Sequence, residues 1–251
     1  MKIAIISDIH GNYSALKAVA KNISNRKISN VICLGDVCGY YSKVNECIDL
    51  IKDITDNVII GNHDFYLINN IRCPRSFSAN ICLDYQRKII SHSNIEWLRK
   101  FPTNSIYFGI NCVHGGFQDY LDEYIASNKY FIGKTFNERF LVSGHTHIPF
   151  IYDAKNFLYC NVGSVGQPRD GDYRASFAIF DNDRFEIIRV DYDFKETQIE
   201  MFAAGFDEYI YKNLEYGIAI GKNPSSEPNI LRELKSPVHK AKGVSGLWNV
   251  E

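Results

Sequence analysis

The sequence has no run of about 18 apolar residues, which argues against a membrane-spanning helix. It has no Cys-x-x-Cys pair, and its seven cysteines are an odd number, so neither a disulfide framework nor a zinc knuckle is indicated. Charge of one sign is also lacking: 28 basic against 29 acidic residues leave a formal net charge of -1. Nothing then attracts the whole chain to nucleic acid or to an anionic membrane, and no stable nucleic-acid binding is expected. No internal repeat or low-complexity tract is visible, and no basic-then-apolar leader precedes the first apolar run. The expectation is a cytoplasmic protein with no membrane partner. Cys33, Cys38, Cys47, Cys82 and Cys112 sit among apolar residues and read as small core hydrophobes in a reducing compartment.

What the chain does contain is a repeated unit. Its 251 residues, 45% of them hydrophobic, can bury a sizeable core as one large domain or a domain with an appendage. Lys2-Ile3-Ala4-Ile5-Ile6-Ser7 is a short, isoleucine-rich apolar run of the kind that parallel sheets bury, and it delivers Asp8-Ile9-His10-Gly11-Asn12 to its C-terminal end. Leu16, Val19, Ala20 and Ile23 then recur at helical spacing. Val31-Ile32-Cys33-Leu34 ends in Gly35-Asp36, and Val44, Cys47, Ile48 and Ile51 give a second helical stripe. Val58-Ile59-Ile60 predicts a third strand, ending in Gly61-Asn62-His63-Asp64. Strands alternating with helices in this way imply right-handed crossovers and a parallel sheet. Ile81, Cys82, Tyr85 and Ile89 suggest a further helix, and Ser93-Asn94-Ile95-Glu96 matches a capping box ahead of Trp97. The irregular stretches between 65 and 104 are placed to supply a loop or lid.

From Ile106 the pattern changes to short strands, expected at 106–108, 110–113, 140–143, 148–152, 157–161, 176–180 and 184–190. Asp181-Asn182-Asp183 marks a hairpin between the last two. These strands predict a second, partly antiparallel sheet. A helix is expected over 195–216, with Ile199, Phe202, Ala203 and Phe206 on one face. The fold class expected is α/β with an α+β-like second half. One domain should cover 1–221, followed by an irregular tail over 222–251 to which no chemistry is assigned.

Five of the seven histidines lie at predicted strand ends beside glycine or another ligand-type residue: His10, His63, His114, His145 and His147. His92 and His239 lie in ordinary polar contexts. Alone, Asp8 would be a helix cap, and Asp36 and Asn62 would be turn residues. Together with the histidines they converge on one edge of the predicted sheets, where open α/β sheets bind their ligands. Asp8, His10, Asp36, Asn62, His114, His145 and His147 make a set of two carboxylates, one amide oxygen and four imidazoles. Seven donors are too many for one ion, and with one bridging carboxylate they fill four positions around each of two. The absence of thiolate disfavours a structural zinc site. Such a mixed oxygen and nitrogen set suits manganese first, with iron or zinc as alternatives.

The blocks Asp8-x-His10, Gly35-Asp36, Gly61-Asn62-His63-Asp64, Val113-His114-Gly115 and Gly144-His145-Thr146-His147 resemble, in order, the five motifs of the calcineurin-like metallophosphoesterase superfamily. Cys38-Gly39-Tyr40, Asn45-Glu46 and the stretch from Asn161 to Arg169 resemble its small bacterial and archaeal phosphodiesterase branch, which is similar to diadenosine tetraphosphatases. The resemblance implies a two-sheet β-sandwich flanked by helices. It implies that Asp8, His10, Asp36 and His147 hold a first metal, and that Asp36 as a bridge, Asn62, His114 and His145 hold a second. The activity implied is hydrolysis of phosphodiester or nucleotide phosphoanhydride bonds by a hydroxide bridging the two ions. A phosphomonoesterase or protein phosphatase is one alternative, and a catalytically silent scaffold on the same fold is the other. His63, whose neighbour Asn62 already coordinates, is the candidate general acid, with Asp64 expected to hold its imidazole. Arg169 is read as a fork for phosphate, and Asn12 and Tyr40 as residues of the substrate mouth. The expected partner is a phosphate ester or nucleotide, and nothing in the sequence indicates an oligomeric state.

Overall fold

In the computed structural model, which describes residues 1–222, β1 (Ile3–Ile6) is an inner strand of a four-stranded sheet. All four of its residues are buried because alternate side chains serve two different cores. Ile3 and Ile5 pack between two sheets, while Ala4 and Ile6 meet helices on the opposite face. α1 (Tyr13–Asn25) turns Leu16, Val19 and Ile23 onto the helix side, and α2 (Val44–Ile54) adds Cys47, Ile48 and Ile51. Between them β2 (Asn30–Cys33) runs parallel to β1. α3 (Asn62–Ile68), α4 (Phe77–Ile89) and α5 (His92–Leu98) follow.

The second sheet is formed by β3 (Asn104–Tyr107), β4 (Ile110–Val113), β5 (Phe140–Ser143), β6 (Phe150–Asp153) and β7 (Leu158–Asn161), in the order β3-β4-β5-β7-β6. Its three inner strands are mutually parallel and both edges are antiparallel. β8 (Ala175–Asp181) and β9 (Arg184–Val190) form a hairpin, and α6 (Phe194–Ala203) follows it. Ile5, Ile32, Val142, Cys160 and Phe180 fill the layer between the sheets. The outer face of the second sheet, at Leu141 and Tyr159, is covered by Ile125, Phe131 and Phe157. The result is the expected two-sheet sandwich with flanking helices. All seven cysteines are buried free thiols. No described helix is long and apolar enough to cross a membrane.

Several expectations are corrected. The hairpin β8-β9 joins the first sheet, where β8 pairs antiparallel with β1, so that sheet is mixed rather than parallel. Alternation along β8 puts Phe177 and Ile179 on the helix side and Ala178 and Phe180 in the sandwich, a pattern that either sheet would accept. The third predicted strand, 58–60, is reduced to one bridge from Val58 to Cys33. Ile60 gives its N–H to the Pro102 carbonyl and Asn62 already starts α3, which ends the pairing. The helix expected over 195–216 stops at Ala203, because Gly205 turns left-handed at φ +83°, and short 3-10 turns follow. Its packed face is also different: Ile199 and Phe202 are 67% and 73% exposed, whereas Thr197 and Met201 are buried. The bond from Thr197 Oγ1 to Asn12 Oδ1, 2.8 Å, keeps that face inward. The helix near Trp97 starts two residues early, capped by Ser91, whose hydroxyl accepts from Asn94 N, rather than by Ser93. The expected tail lies, from residue 223 onward, outside the described residues.

Phe177 is fully buried on the helix face of β8. Phe177→Ala should lower unfolding stability by about 3–5 kcal/mol, read as a fall in the urea midpoint at unchanged slope.

Candidate metal centre

The loops leaving β1 and β2 are zipped together by their backbones. Asp8 N donates to Gly35 O, and Ile9 N and His10 N both donate to Asp36 O. From the other sheet, Gly144 N donates to His114 O, and Gly166 N donates to Asp8 O. Five donor residues sit in the left-handed region that L side chains rarely adopt: Asp8 (φ 54°), His10 (55°), Asp36 (51°), His145 (64°) and His147 (60°). Single left-handed residues turn the chain sharply just past each strand and bring neighbouring side chains back over the strand ends. Such conformations persist only where the surroundings over-determine them, and they cluster at functional sites.

The two carboxylates are held alike. Asp8 Oδ2 accepts the His145 backbone N–H at 2.9 Å, and Asp36 Oδ1 accepts that of His63 at 2.8 Å. The remaining oxygens face the centre. Asp8 Oδ1 lies 3.1 Å from His147 Nε2 and 3.7 Å from His10 Nε2; Asp36 Oδ2 lies 3.3 Å from His114 Nε2 and 3.6 Å from His10 Nε2. Three of the imidazoles are oriented by backbone carbonyls. His10 Nδ1 donates to Cys38 O, His114 Nδ1 to Leu34 O and His147 Nδ1 to Gln167 O. A carbonyl only accepts, so each Nδ1 carries a proton and each ring, when neutral, turns a lone pair on Nε2 inward.

These lone pairs crowd one another. His10 Nε2 and His147 Nε2 are 3.0 Å apart, and Asp8 Oδ1 and His145 Nε2 are buried without a hydrogen bond. Acceptors meet acceptors here, and positive charge between them relieves the contact. Without it, protons are drawn in. Burial disfavours the charge of His114, but Asp36 and Asp8 override it and push the imidazole up to about 10. Burial works equally against Asp8 and Asp36, yet the histidines around them hold both carboxyls below the ordinary range. Burial brings His147 down to about 4 and His145 well below its usual value. The groups Asp8–His10–His147 and Asp36–His114–His145 each converge within metal-ligand spacing, and Asn62 Oδ1 lies 3.1 Å from His114 Nε2. The donor set fits divalent cations.

A cavity of about 190 Å³ opens onto this centre, bordered by His63, Tyr40 and Arg169. Burial brings His63 down to about 3, and its Nδ1 is buried with no partner. The expected bond from Asp64 is not made. As the third residue of α3, Asp64 folds back to accept from Gly61 N at 3.0 Å and from Cys38 N at 2.8 Å, which braces the turn carrying the His10 acceptor. Arg169 gives Nη2 to Gln167 Oε1 and to the Tyr40 hydroxyl, and has no carboxylate within ion-pair distance among the described residues. Asn12 does not reach the cavity. It caps α1 through Ala15 N, donates to Gly166 O and Tyr192 Oη, and accepts from Thr197, so its amide is fully engaged inside. Arg75, Ser76 and Tyr124 also border the cavity, from irregular loops with no strand end or glycine in the sequence to mark them. Gln86 is equally unmarked in the sequence, and its amide clamps Gly39 N and Tyr41 O beside His10.

Residues 1–184 match the calcineurin-like phosphoesterase superfamily domain. An uncharacterized protein of Methanocaldococcus jannaschii is 34% identical over 245 residues, covering 86% of this chain and 98% of that protein. The crystal structure of a metallophosphoesterase from Sphaerobacter thermophilus superposes with a TM-score of 0.76 at 30% identity, over 87% of this chain and 100% of that one. A hypothetical protein from Pyrococcus horikoshii gives the same TM-score at 23% identity, over 86% and 98%. The buried carboxylate and imidazole clusters at the strand ends thus occur on a shared fold and a shared sequence, and the chain belongs to the calcineurin-like phosphoesterase superfamily, which marks it as a phosphoesterase hydrolase.

Proposed function

We propose that the protein is a dinuclear metal-dependent phosphoesterase acting on phosphodiester or nucleotide phosphoanhydride bonds. The observation that carries this reading is the set of inward lone pairs: His10 Nε2 faces His147 Nε2 at 3.0 Å, beside an Asp8 oxygen that has no hydrogen bond. Asp8, His10, Asp36 and His147 would hold one divalent ion, and Asp36, Asn62, His114 and His145 the other, manganese being the first candidate and iron or zinc the next. Two such ions, when bound, supply an activated water and Lewis-acid neutralisation of the phosphoryl oxygens. The chain does the rest. Arg169, held by an amide and a phenol rather than a carboxylate, keeps a guanidinium charge for a phosphoryl oxygen. His63 is set beside the rings of His10 and Tyr40, 4.8 and 5.0 Å between centroids. Burial keeps it neutral in the free site, and it would take up a proton from solvent when an anionic phosphoryl group enters and pass it to the leaving oxygen. Asp64 acts through the Cys38 turn rather than on His63.

Purified protein should hydrolyse bis-p-nitrophenyl phosphate with manganese and lose the activity on chelation. No turnover with manganese, iron or zinc would overturn the enzymatic reading in favour of a silent scaffold. Preference for the mono-ester would move the protein to the phosphomonoesterases. His63→Ala should retain both ions in elemental analysis while turnover falls about 10²–10⁴-fold; loss of an ion instead would make His63 a ligand. Because Asp36 and Asp8 raise His114 to about 10, the metal-free protein carries a proton there at neutral pH, which an incoming ion must displace. Ion affinity should therefore rise with pH from 7 toward 10 and fall as the medium is acidified. Calorimetric titrations in buffers of different ionisation enthalpy should show the released proton, and heats independent of buffer would count against this.

A further inference from the structure

His145 is the exception among the four imidazoles proposed as ligands. The other three have Nδ1 fixed by a backbone carbonyl. His145 makes no side-chain hydrogen bond to any described residue: its Nε2 is buried without a partner, and only its backbone N–H is engaged, on Asp8 Oδ2. Its ring is nonetheless held on two sides. His114 meets it edge-on at 5.1 Å, and Tyr124 lies against it at 4.2 Å between centroids, the shortest ring contact at the centre.

Tyr124 is itself braced. The Arg75 guanidinium sits over its ring, 5.5 Å from the centroid, within the range of a cation–π contact. Arg75 pairs with the Asp122 carboxylate and also donates to the Asp122 carbonyl at 3.2 Å. The other Asp122 oxygen accepts from the Tyr66 hydroxyl at 2.6 Å. Tyr66 belongs to α3, the helix whose first residue is Asn62. Three separate pieces of chain, the loop ahead of α4, the loop after β4 and α3, are thereby tied together over the Asp36–His114–His145 group.

We infer that Tyr124 is the positioning residue of His145, doing through ring contact what a carbonyl does for the other three imidazoles. The inference rests on the dinuclear reading above. A hydrogen bond to the backbone fixes both the tautomer and the tilt of a ring, whereas a ring contact fixes the tilt alone. The ion at the Asp36–Asn62–His114–His145 group is then the more weakly held of the two, and its retention depends on the Arg75–Asp122–Tyr66 tie.

The test is a manganese titration of the full chain by equilibrium dialysis, with electron paramagnetic resonance reporting the exchange-coupled pair. Wild type should take up two ions and show the coupled signal. Tyr124→Leu should keep the first ion at wild-type affinity, lose affinity for the second about 10–100-fold and lose the coupled signal, as removal of groups that orient metal ligands does. Tyr124→Phe keeps the ring and should behave as wild type. Arg75→Met leaves Tyr124 in place without its brace and should weaken only the second ion. Tyr124 is 44% exposed, so the leucine variant should fold, and its thermal midpoint verifies this independently. Two ions at unchanged affinity in Tyr124→Leu, or equal loss in the leucine and phenylalanine variants, would overturn the inference. Fewer than two ions in wild type would overturn the dinuclear reading and the inference with it.

Discussion

Two carboxylates buried side by side are the constraint on which the rest of the structure depends. Asp8 and Asp36 are 0% and 1% exposed, and an isolated ionised carboxylate in such a place is costly. Each is compensated in the same two-part way, one oxygen on a backbone N–H and the other among imidazoles. Three of the four imidazoles, those of His10, His114 and His147, are in turn fixed by carbonyls of the opposite loops. Charge compensation and backbone geometry are therefore one problem: the N–H groups and carbonyls must lie where the side chains need them, and the left-handed turns at Asp8, His10, Asp36, His145 and His147 put them there.

That requirement explains the short strands and the small residues between them. β1, β2, β4 and β5 are four residues each, and the loops that leave them are joined by backbone hydrogen bonds. Gly144 is needed for its size rather than for its backbone angle: a β-carbon there would overlap Asp8 Oδ2 and Ser7 Oγ. At Gly39 a β-carbon would overlap His10 Nδ1, the atom that must reach the Cys38 carbonyl. Each left-handed non-glycine residue costs about 1–2 kcal/mol. Five of them together are comparable to the net stability of an ordinary domain, so the sandwich core and the zipped loops must hold the turns in place. A loosened core would be felt at the centre before the fold itself was lost.

Much of this was legible in the sequence because ligand-type residues stood directly after aliphatic strands, where few other pressures place histidine. Asp8, His10, Asp36, Asn62, His114, His145 and His147 do converge, and Tyr40, His63 and Arg169 border the cavity beside them. What was not legible depends on long-range choices that leave no local trace. The inner and outer faces of β8 are equally apolar, so its pattern could not say which sheet it joins. On α6 the larger apolar side chains, Ile199 and Phe202, are outside, while a threonine bonded to Asn12 and one methionine decide the packed face. Asp64 has two backbone donors nearer than any imidazole, one of them 26 residues away in sequence at Cys38. Tyr124 acquires its place only through Arg75 and His145, on other parts of the chain.

The two guanidiniums at the cavity show how partner chemistry separates similar residues. Arg75 is paired with the Asp122 carboxylate, so its charge is largely cancelled and what remains is a rigid, planar prop over Tyr124. Arg169 is gripped as firmly, by Gln167 Oε1 at 2.6 Å and the Tyr40 hydroxyl at 3.2 Å, but both partners are neutral. An amide and a phenol fix its direction without cancelling its charge, and neither would repel an incoming phosphate as a carboxylate would. Tyr40 serves twice in this, since its ring also lies 4.8 Å from that of His10. Fixing a cation with neutral acceptors is tolerable where other charges balance it, and the Asp8 carboxylate in the centre acts on the Arg169 charge. Asp8, one of the two carboxylates that demand positive charge from the histidines, thus also helps to make an arginine without an ion pair tolerable at the cavity.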